Sequence, residues 1–218
     1  MLAPRAVREY PVAMPFSDVN MLPLGIAAAI SRESMAALPI RRYEGRVCVV
    51  ATRTELADAL ADIQQERVVG FDTETRPAFK KGERYAPALV QVATASAVYL
   101  FQLRRVDVIP GLAEMLSAPD IVKAGVAVAR DLLDLKEVFS FAEKNIIDLG
   151  AQARRGGLEQ TGVRNLAGIF LGCRVAKGSR TSNWAATILT PAQIAYAATD
   201  AWICRELYLR LEDLGMLR

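Results

Sequence analysis

Val68-Val69-Gly70-Phe71-Asp72-Thr73-Glu74-Thr75 is the stretch on which the reading of this chain turns. An apolar run of strand-forming residues meets acid at Asp72, a pattern that predicts a strand buried in a core and charged at its end. Strand side chains alternate, so Asp72 and Glu74, at i and i+2, share one face with their backbones about 7 Å apart. Two carboxylates placed there repel each other and lose hydration unless a cation lies between them. A hard divalent ion such as Mg²⁺ or Mn²⁺, which prefers oxygen ligands, relieves both penalties. A strand that simply ends at a solvated turn would need no ion, so the pair points to metal only if further acids join it.

Working outward, residues 1–22 mix prolines with scattered charges and read as an irregular arm. A short helix is expected at 31–38, capped by Ser31 and ended by Pro39. Val47–Val50 reads as a strand, and Thr54-Glu55-Leu56 opens a helix with Leu56, Ala59, Leu60 and Ile63 on one face. Downstream of the acidic strand, 88–94 and 97–101 form a strand pair turned at Ala95-Ser96. A helix at 110–117, a strand at 121–125, a helix at 128–139 and a short strand from Ile146 follow. Beyond Gly157 the pattern is entirely helical, with 163–171 and a long helix from Pro191, a favourable first-turn residue, to about Leu214. This order predicts an α/β fold with a mixed sheet, because the strand pair requires an antiparallel member. One compact domain is expected over 46–218, preceded by an extension over 1–45.

Two further acidic positions stand out. In Tyr196-Ala-Ala-Thr-Asp200 the tyrosine and the acid are at i and i+4, so both project from one helical face. The surrounding alanines let that face approach another element closely, and Pro191 puts the helix start too far away for Asp200 to be a cap. Asp131, just after the strand 121–125, is the second; as an acid in a first helical turn it also suits the helix dipole. Asp134 is the alternative at this place, deeper in the same helix.

Composition removes other chemistries. The chain has 218 residues and no histidine, which excludes Ser–His–Asp and Cys–His catalysis and histidine-ligated zinc. Cys48, Cys173 and Cys204 are widely spaced, giving neither a zinc knuckle nor a disulfide framework and suiting a reducing compartment. The longest apolar run near the N-terminus, 24–30, is too short to span a bilayer and follows no basic leader, so a cytoplasmic protein is expected. A net charge of +3, from 27 basic and 24 acidic residues, permits a nucleic-acid partner without demanding one. No segment marks an obligatory protein partner.

Taken together, these stretches resemble the three motifs of the DEDD exonuclease superfamily in its tyrosine branch. Val69–Pro77 resembles the first, Lys123-Ala124-Gly125-Val126 through Asp131-Leu132 the second, and Tyr196-x-x-x-Asp200 the third. Between them, Ala88–Val92 with Tyr99-Leu100-Phe101, the Gly157-Leu158 turn and Ser182-Asn183-Trp184 extend the likeness over about 46–214. Among relatives it is most similar to the Werner-syndrome-type exonuclease domain, then to ribonuclease D. The resemblance implies a ribonuclease-H-like fold with five or six strands and a metal-dependent 3′→5′ exonuclease acting on DNA or RNA ends. It implies two divalent ions, Mg²⁺ or Mn²⁺, held by Asp72, Glu74, Asp131 and Asp200, with Tyr196 positioning water. Ala124-Gly125 stands where relatives often have Val-Gly.

The resemblance also suggests substrate contacts. Thr73 and Thr75 flank the acids of the first motif, Lys80, Lys81 and Arg84 follow it, and Lys177 and Arg180 precede Trp184. Ser182 and Asn183 would bind phosphate or cap the local turn. Trp184 reads as core more than as a stacking platform, and Arg41-Arg42-Tyr43 as surface packing. A catalytically silent nucleic-acid-binding module of the same fold is the main alternative, against which stands the presence of all five motif residues. A small-phosphate hydrolase lacking an extended groove is another.

Overall fold

The computed structural model describes residues 22–80, 82–176, 178 and 181–217. Its elements run α1 (Arg32–Ala37), β1 (Ile40–Arg41), β2 (Arg46–Val49), α2 (Arg53–Gln64), β3 (Val68–Thr75), β4 (Pro87–Ala93), β5 (Ala97–Gln102), α3 (Ile109–Ser117), β6 (Val122–Gly125), α4 (Val128–Lys136), β7 (Ile146–Asp148), α5 (Leu149–Arg155), α6 (Val163–Leu171), β8 (Arg174–Val175) and α7 (Pro191–Asp213). Six strands form one mixed sheet in the order β2-β5-β4-β3-β6-β7, with β3-β4 and β4-β5 antiparallel and the other pairs parallel. The expected α/β architecture with a mixed sheet is what the chain adopts.

Alternation along β3 sorts the two faces. Val69 and Phe71 join the core under α2, α3 and α4, with Ile63, Leu112 and Leu135. Val68 joins the opposite core, with Leu149, Leu166, Ile203 and Leu207 of α5, α6 and α7. On that second face α7 lies almost directly on β3. A Cβ added to Gly70 would sit 1.9 Å from the Ala201 carbonyl oxygen, so only glycine permits the approach. Ala197, Ala198 and Ala201, all buried, supply the matching thin surface of the helix.

Several expected boundaries shift, for physical reasons. The acidic strand does not stop at Asp72 but continues to Thr75, because β4 pairs alongside that far. The fourth helix ends at Lys136 rather than near residue 139. Thr52, not a residue at 54, caps α2, through a reciprocal capping box with Glu55. The chain beyond Gly157 is not wholly helical: Arg174–Val175 pairs in parallel with Ile40–Arg41 as a separate two-stranded sheet. Two residues are too few to carry a period, which is why neither strand is visible in the sequence.

The irregular arm expected at 1–22 lies outside the described residues except for Leu22. The described part of the extension is packed down. Glu159 donates its backbone N–H to the Ala28 carbonyl (3.0 Å), and the Tyr43 ring lies 5.9 Å from that of Trp202. Arg41 and Arg42 are exposed beside it, consistent with a surface-packing role for this segment. Among the described residues no helix is long and apolar enough to cross a membrane.

Candidate active site

Four elements meet at the end of β3. Asp72 and Glu74 point to the α7 side with Val68 and Gly70, and a register shift between Glu74 and Thr75 bulges the strand at that point. Bulges of this kind re-aim side chains near functional sites. From above, α7 brings Asp200, only 7% exposed, onto the pair. Carboxylate oxygens of Asp72, Glu74 and Asp200 all lie within 4.8 Å of one another.

Asp131 comes from the other side. Gly125 ends β6 so close to β3 that an added Cβ would lie 2.6 Å from the Phe71 carbonyl oxygen. Ala127 then takes a left-handed conformation (φ 61°), and α4 begins immediately with Asp131 in its first turn. There the Asp131 carboxylate accepts a hydrogen bond from the Thr73 side chain, and its charge is felt at Asp72. Asp134, the alternative, is turned away: it accepts from Arg84 (3.1 Å) and Arg130 (2.8 Å). The two acids thus have different surroundings, Asp131 beside Thr73 and Asp134 paired with two arginines.

The electrostatics are those of buried acids crowded together. Burial holds the Asp72 carboxyl well above the ordinary carboxylate range, and the charges of Asp200 and Asp131 push it further. Burial also raises Asp131 to about 6, aided by Asp134 and Asp148 and opposed by the Thr73 hydrogen bond. Asp200 is raised to about 6 by burial, against the pull of the Tyr196 hydroxyl and of Arg164 on α6. The Tyr196 phenol is pushed far above its usual value by burial and by Asp200, to which its O–H donates. An all-oxygen, mutually repelling, largely buried donor set fits a hard divalent cation, and nothing in it suits a soft one.

The remaining expected contacts fall out unevenly. Thr73 is engaged with Asp131 and Thr75 is half-buried. Lys80 is exposed, and Arg84 is tied to Asp134 and lies 3.8 Å from Glu137. Ser182 is half-buried and Asn183 exposed, its carbonyl accepting from the Gln193 side chain (3.2 Å). Lys81, Lys177 and Arg180 lie outside the described residues. Trp184 is fully buried, as a core residue should be, with its ring 6.0 Å from that of Tyr196. The second-motif lysine, Lys123, is structural: its buried ammonium donates to the Ala118 (2.7 Å) and Ile121 (2.9 Å) carbonyls. Arg164 is the neighbour of Asp200 that sequence reasoning missed. A cation in the first turn of α6 opposes the helix dipole, and that oddity was the available signal.

A mixed sheet with a helix laid on β3, and carboxylates from strand and helices converging at one end, defines an α/β protein with an oxygen-lined acidic centre. The chain belongs to the 3′-5′ exonuclease family, whose model matches residues 47–215. It is 34% identical over 188 residues to the mouse bifunctional 3′-5′ exonuclease/ATP-dependent helicase WRN, covering 82% of this chain and 13% of that protein. It is 31% identical to ribonuclease D of Gluconacetobacter diazotrophicus, covering 78% of this chain and 44% of that protein. Each relative is thus matched over less than half its length. The Aedes aegypti Nibbler EXO domain superposes with a TM-score of 0.70 at 24% identity, over 82% of this chain and 92% of that domain. The fold is the ribonuclease-H-like one that the motifs imply.

Proposed function

We propose that this chain is a metal-dependent 3′→5′ exonuclease of the tyrosine branch that removes nucleotides from nucleic-acid 3′ ends and releases nucleoside 5′-monophosphates. The observation that carries the reading is the convergence of Asp72, Glu74 and Asp200 within 4.8 Å in a member of the 3′-5′ exonuclease family. The names of its relatives, an exonuclease–helicase and a ribonuclease, support action on polynucleotides. In the reaction, water attacks the terminal phosphorus, the bond to the 3′ oxygen breaks, and that oxygen leaves as the new 3′ hydroxyl of the shortened strand.

Asp72, Glu74, Asp131 and Asp200 would hold two ions, Mg²⁺ or Mn²⁺. When bound, such a pair supplies a water of lowered pKa and stabilises charge on the attacking and leaving oxygens. Tyr196 stays protonated at neutral pH and donates to Asp200, so it orients groups through its O–H and does not remove a proton. Thr73 fixes Asp131, which makes it a positioning residue more than a substrate contact. Thr75, Lys80, Ser182 and Asn183 remain substrate contacts in this reading, with Arg180 outside the described residues. The three free cysteines fit a reducing, cytoplasmic setting.

The test uses single-stranded DNA and RNA of one sequence, labelled at the 5′ end, with Mg²⁺, Mn²⁺ or EDTA, and Asp72→Ala in parallel. A metal-dependent ladder shortening from the 3′ end, absent in the variant, is expected, and the faster substrate identifies the preferred sugar. Intact substrate with every metal, but retained binding, would replace the enzyme by a silent nucleic-acid-binding module.

A further inference from the structure

Gln91 is fully buried in β4, and neither its amide nitrogen nor its amide oxygen has a hydrogen-bond partner. Buried polar side chains in folded proteins are almost always satisfied, so an amide with both ends unpaired needs a reason. Its position supplies one. Gln91 is the direct cross-strand partner of Asp72. It shares its face with Leu89 and Ala93, two residues away on either side, which pack in the cluster containing Ala197, Ala198 and Ala201, and so it faces α7, as Asp72 does. Directly opposed residues on one face of an antiparallel pair have Cβ atoms about 4.5–5.5 Å apart, within reach of a glutamine amide.

A second orphan lies on the same face. The indole Nε1 of Trp184 is buried without an acceptor. Trp184 shares a cluster with Leu89 and with Leu100, the β5 residue opposite Gln91. A donor without an acceptor and an amide free at both ends are thus set on one face, beside a carboxylate.

We propose that Gln91 is a positioning residue for the cation centre: its amide, unpaired in the structure, turns to donate its N–H to one Asp72 oxygen when a cation is held there, so that the other oxygen is presented to the metal, while its carbonyl takes the Trp184 indole N–H. This rests on the metal-site reading of Asp72, Glu74 and Asp200. A neutral donor suits this role because it orients a carboxylate without cancelling the charge the ion needs, as lysine or arginine there would. A partner that orients a ligating carboxylate commonly contributes 10–100-fold in metal affinity.

The test is Mn²⁺ binding, followed by the electron paramagnetic resonance of free Mn²⁺, with wild type, Gln91→Met and Gln91→Leu. Circular dichroism and thermal melting in EDTA accompany it. Both replacements keep the volume and remove the unpaired amide, so a metal-free melting point equal to or above wild type is expected. Mn²⁺ affinity should fall about tenfold or more, and the Mn²⁺-induced rise in melting point should shrink with it. Folded variants that bind Mn²⁺ as tightly as wild type would overturn the positioning role while leaving the cation site standing. Variants that both fail to fold would assign Gln91 to the core alone and also overturn it. A wild-type protein that binds no Mn²⁺ would remove the cation site itself, a different failure.

Discussion

At the scale of single residues, the acids carry a measurable cost of their own convergence. Asp200 has its carboxyl raised from 3.8 to about 6 by burial. The native state therefore binds this proton more tightly than the unfolded chain does. Its stabilising contribution is fully present below about pH 4 and is lost as pH rises through about 6. Asp200→Asn removes that loss while keeping an acceptor for the Tyr196 hydroxyl. In EDTA the variant should match wild type near pH 4. At pH 7 it should be more stable by up to about 3 kcal/mol, or roughly 5–10 °C in melting point. A variant less stable than wild type at pH 7 would show that the carboxylate is already compensated without metal. Tyr196 poses the complementary case, since it is neutral and works through geometry. Tyr196→Phe should lower the exonuclease rate on the order of 10²-fold, the usual consequence of losing alignment, while Mn²⁺ affinity, which loses only the O–H on Asp200, should fall by no more than about tenfold. A rate equal to wild type would deny the hydroxyl any part in positioning.

At the scale of elements, the centre exists because α7 can lie on β3. Gly70→Ala places a methyl about where the Ala201 carbonyl oxygen is, and the Arg205 nitrogen lies 2.8 Å from it. The helix must lift, and overpacking of this kind costs about 1–3 kcal/mol. Since Asp200 rides on the helix and Asp72 on the strand, the same lift should weaken Mn²⁺ binding. Gly162→Ala, in open space at φ −75°, is the control and should change stability by under about 1 kcal/mol. A wild-type melting point for Gly70→Ala would mean that strand and helix are not in contact. What the sequence discloses follows from periodicity. The i, i+2 and i, i+4 spacings put Asp72 with Glu74 and Tyr196 with Asp200 on shared faces, because those faces are properties of a strand and a helix alone. Asp131 against Asp134 is not decided by period, since both lie on one short helix. What distinguishes their surroundings is the ion pair from Arg84 to Asp134, a tertiary contact that no local spacing reveals. Gln91 was hidden for a related reason: a lone amide inside an apolar run shows its face by alternation, but not that its partners are missing.

At the scale of the molecule, the question is whether the body from residue 46 stands without the extension. Its three core clusters are built from β2–β7 and α2–α7 almost alone, with Leu22 and Ile26 at the rim of one and Tyr43 at the rim of another. Asp72, Asp131 and Asp200 connect to the described residues before 46 indirectly, through the Tyr43 N–H on Thr199 (3.1 Å). Thr199 keeps a second anchor, its hydroxyl donating to the Ala195 carbonyl (2.6 Å), so α7 should hold its place. Removing residues 1–45 uncovers Trp202, loses its tilted aromatic pair with Tyr43, worth about 0.5–1.5 kcal/mol beyond its burial, and unpairs β8. The shortened chain is therefore expected to fold cooperatively with a melting point lower by roughly 5–10 °C, yet to bind Mn²⁺ within about threefold of the full chain. Melting curves and Mn²⁺ titrations on both chains check this together. A shortened chain that folds but loses Mn²⁺ would mean that the Tyr43–Thr199 contact sets the position of Asp200. The extension would then belong to the catalytic domain, and the boundary would have to be drawn before β1.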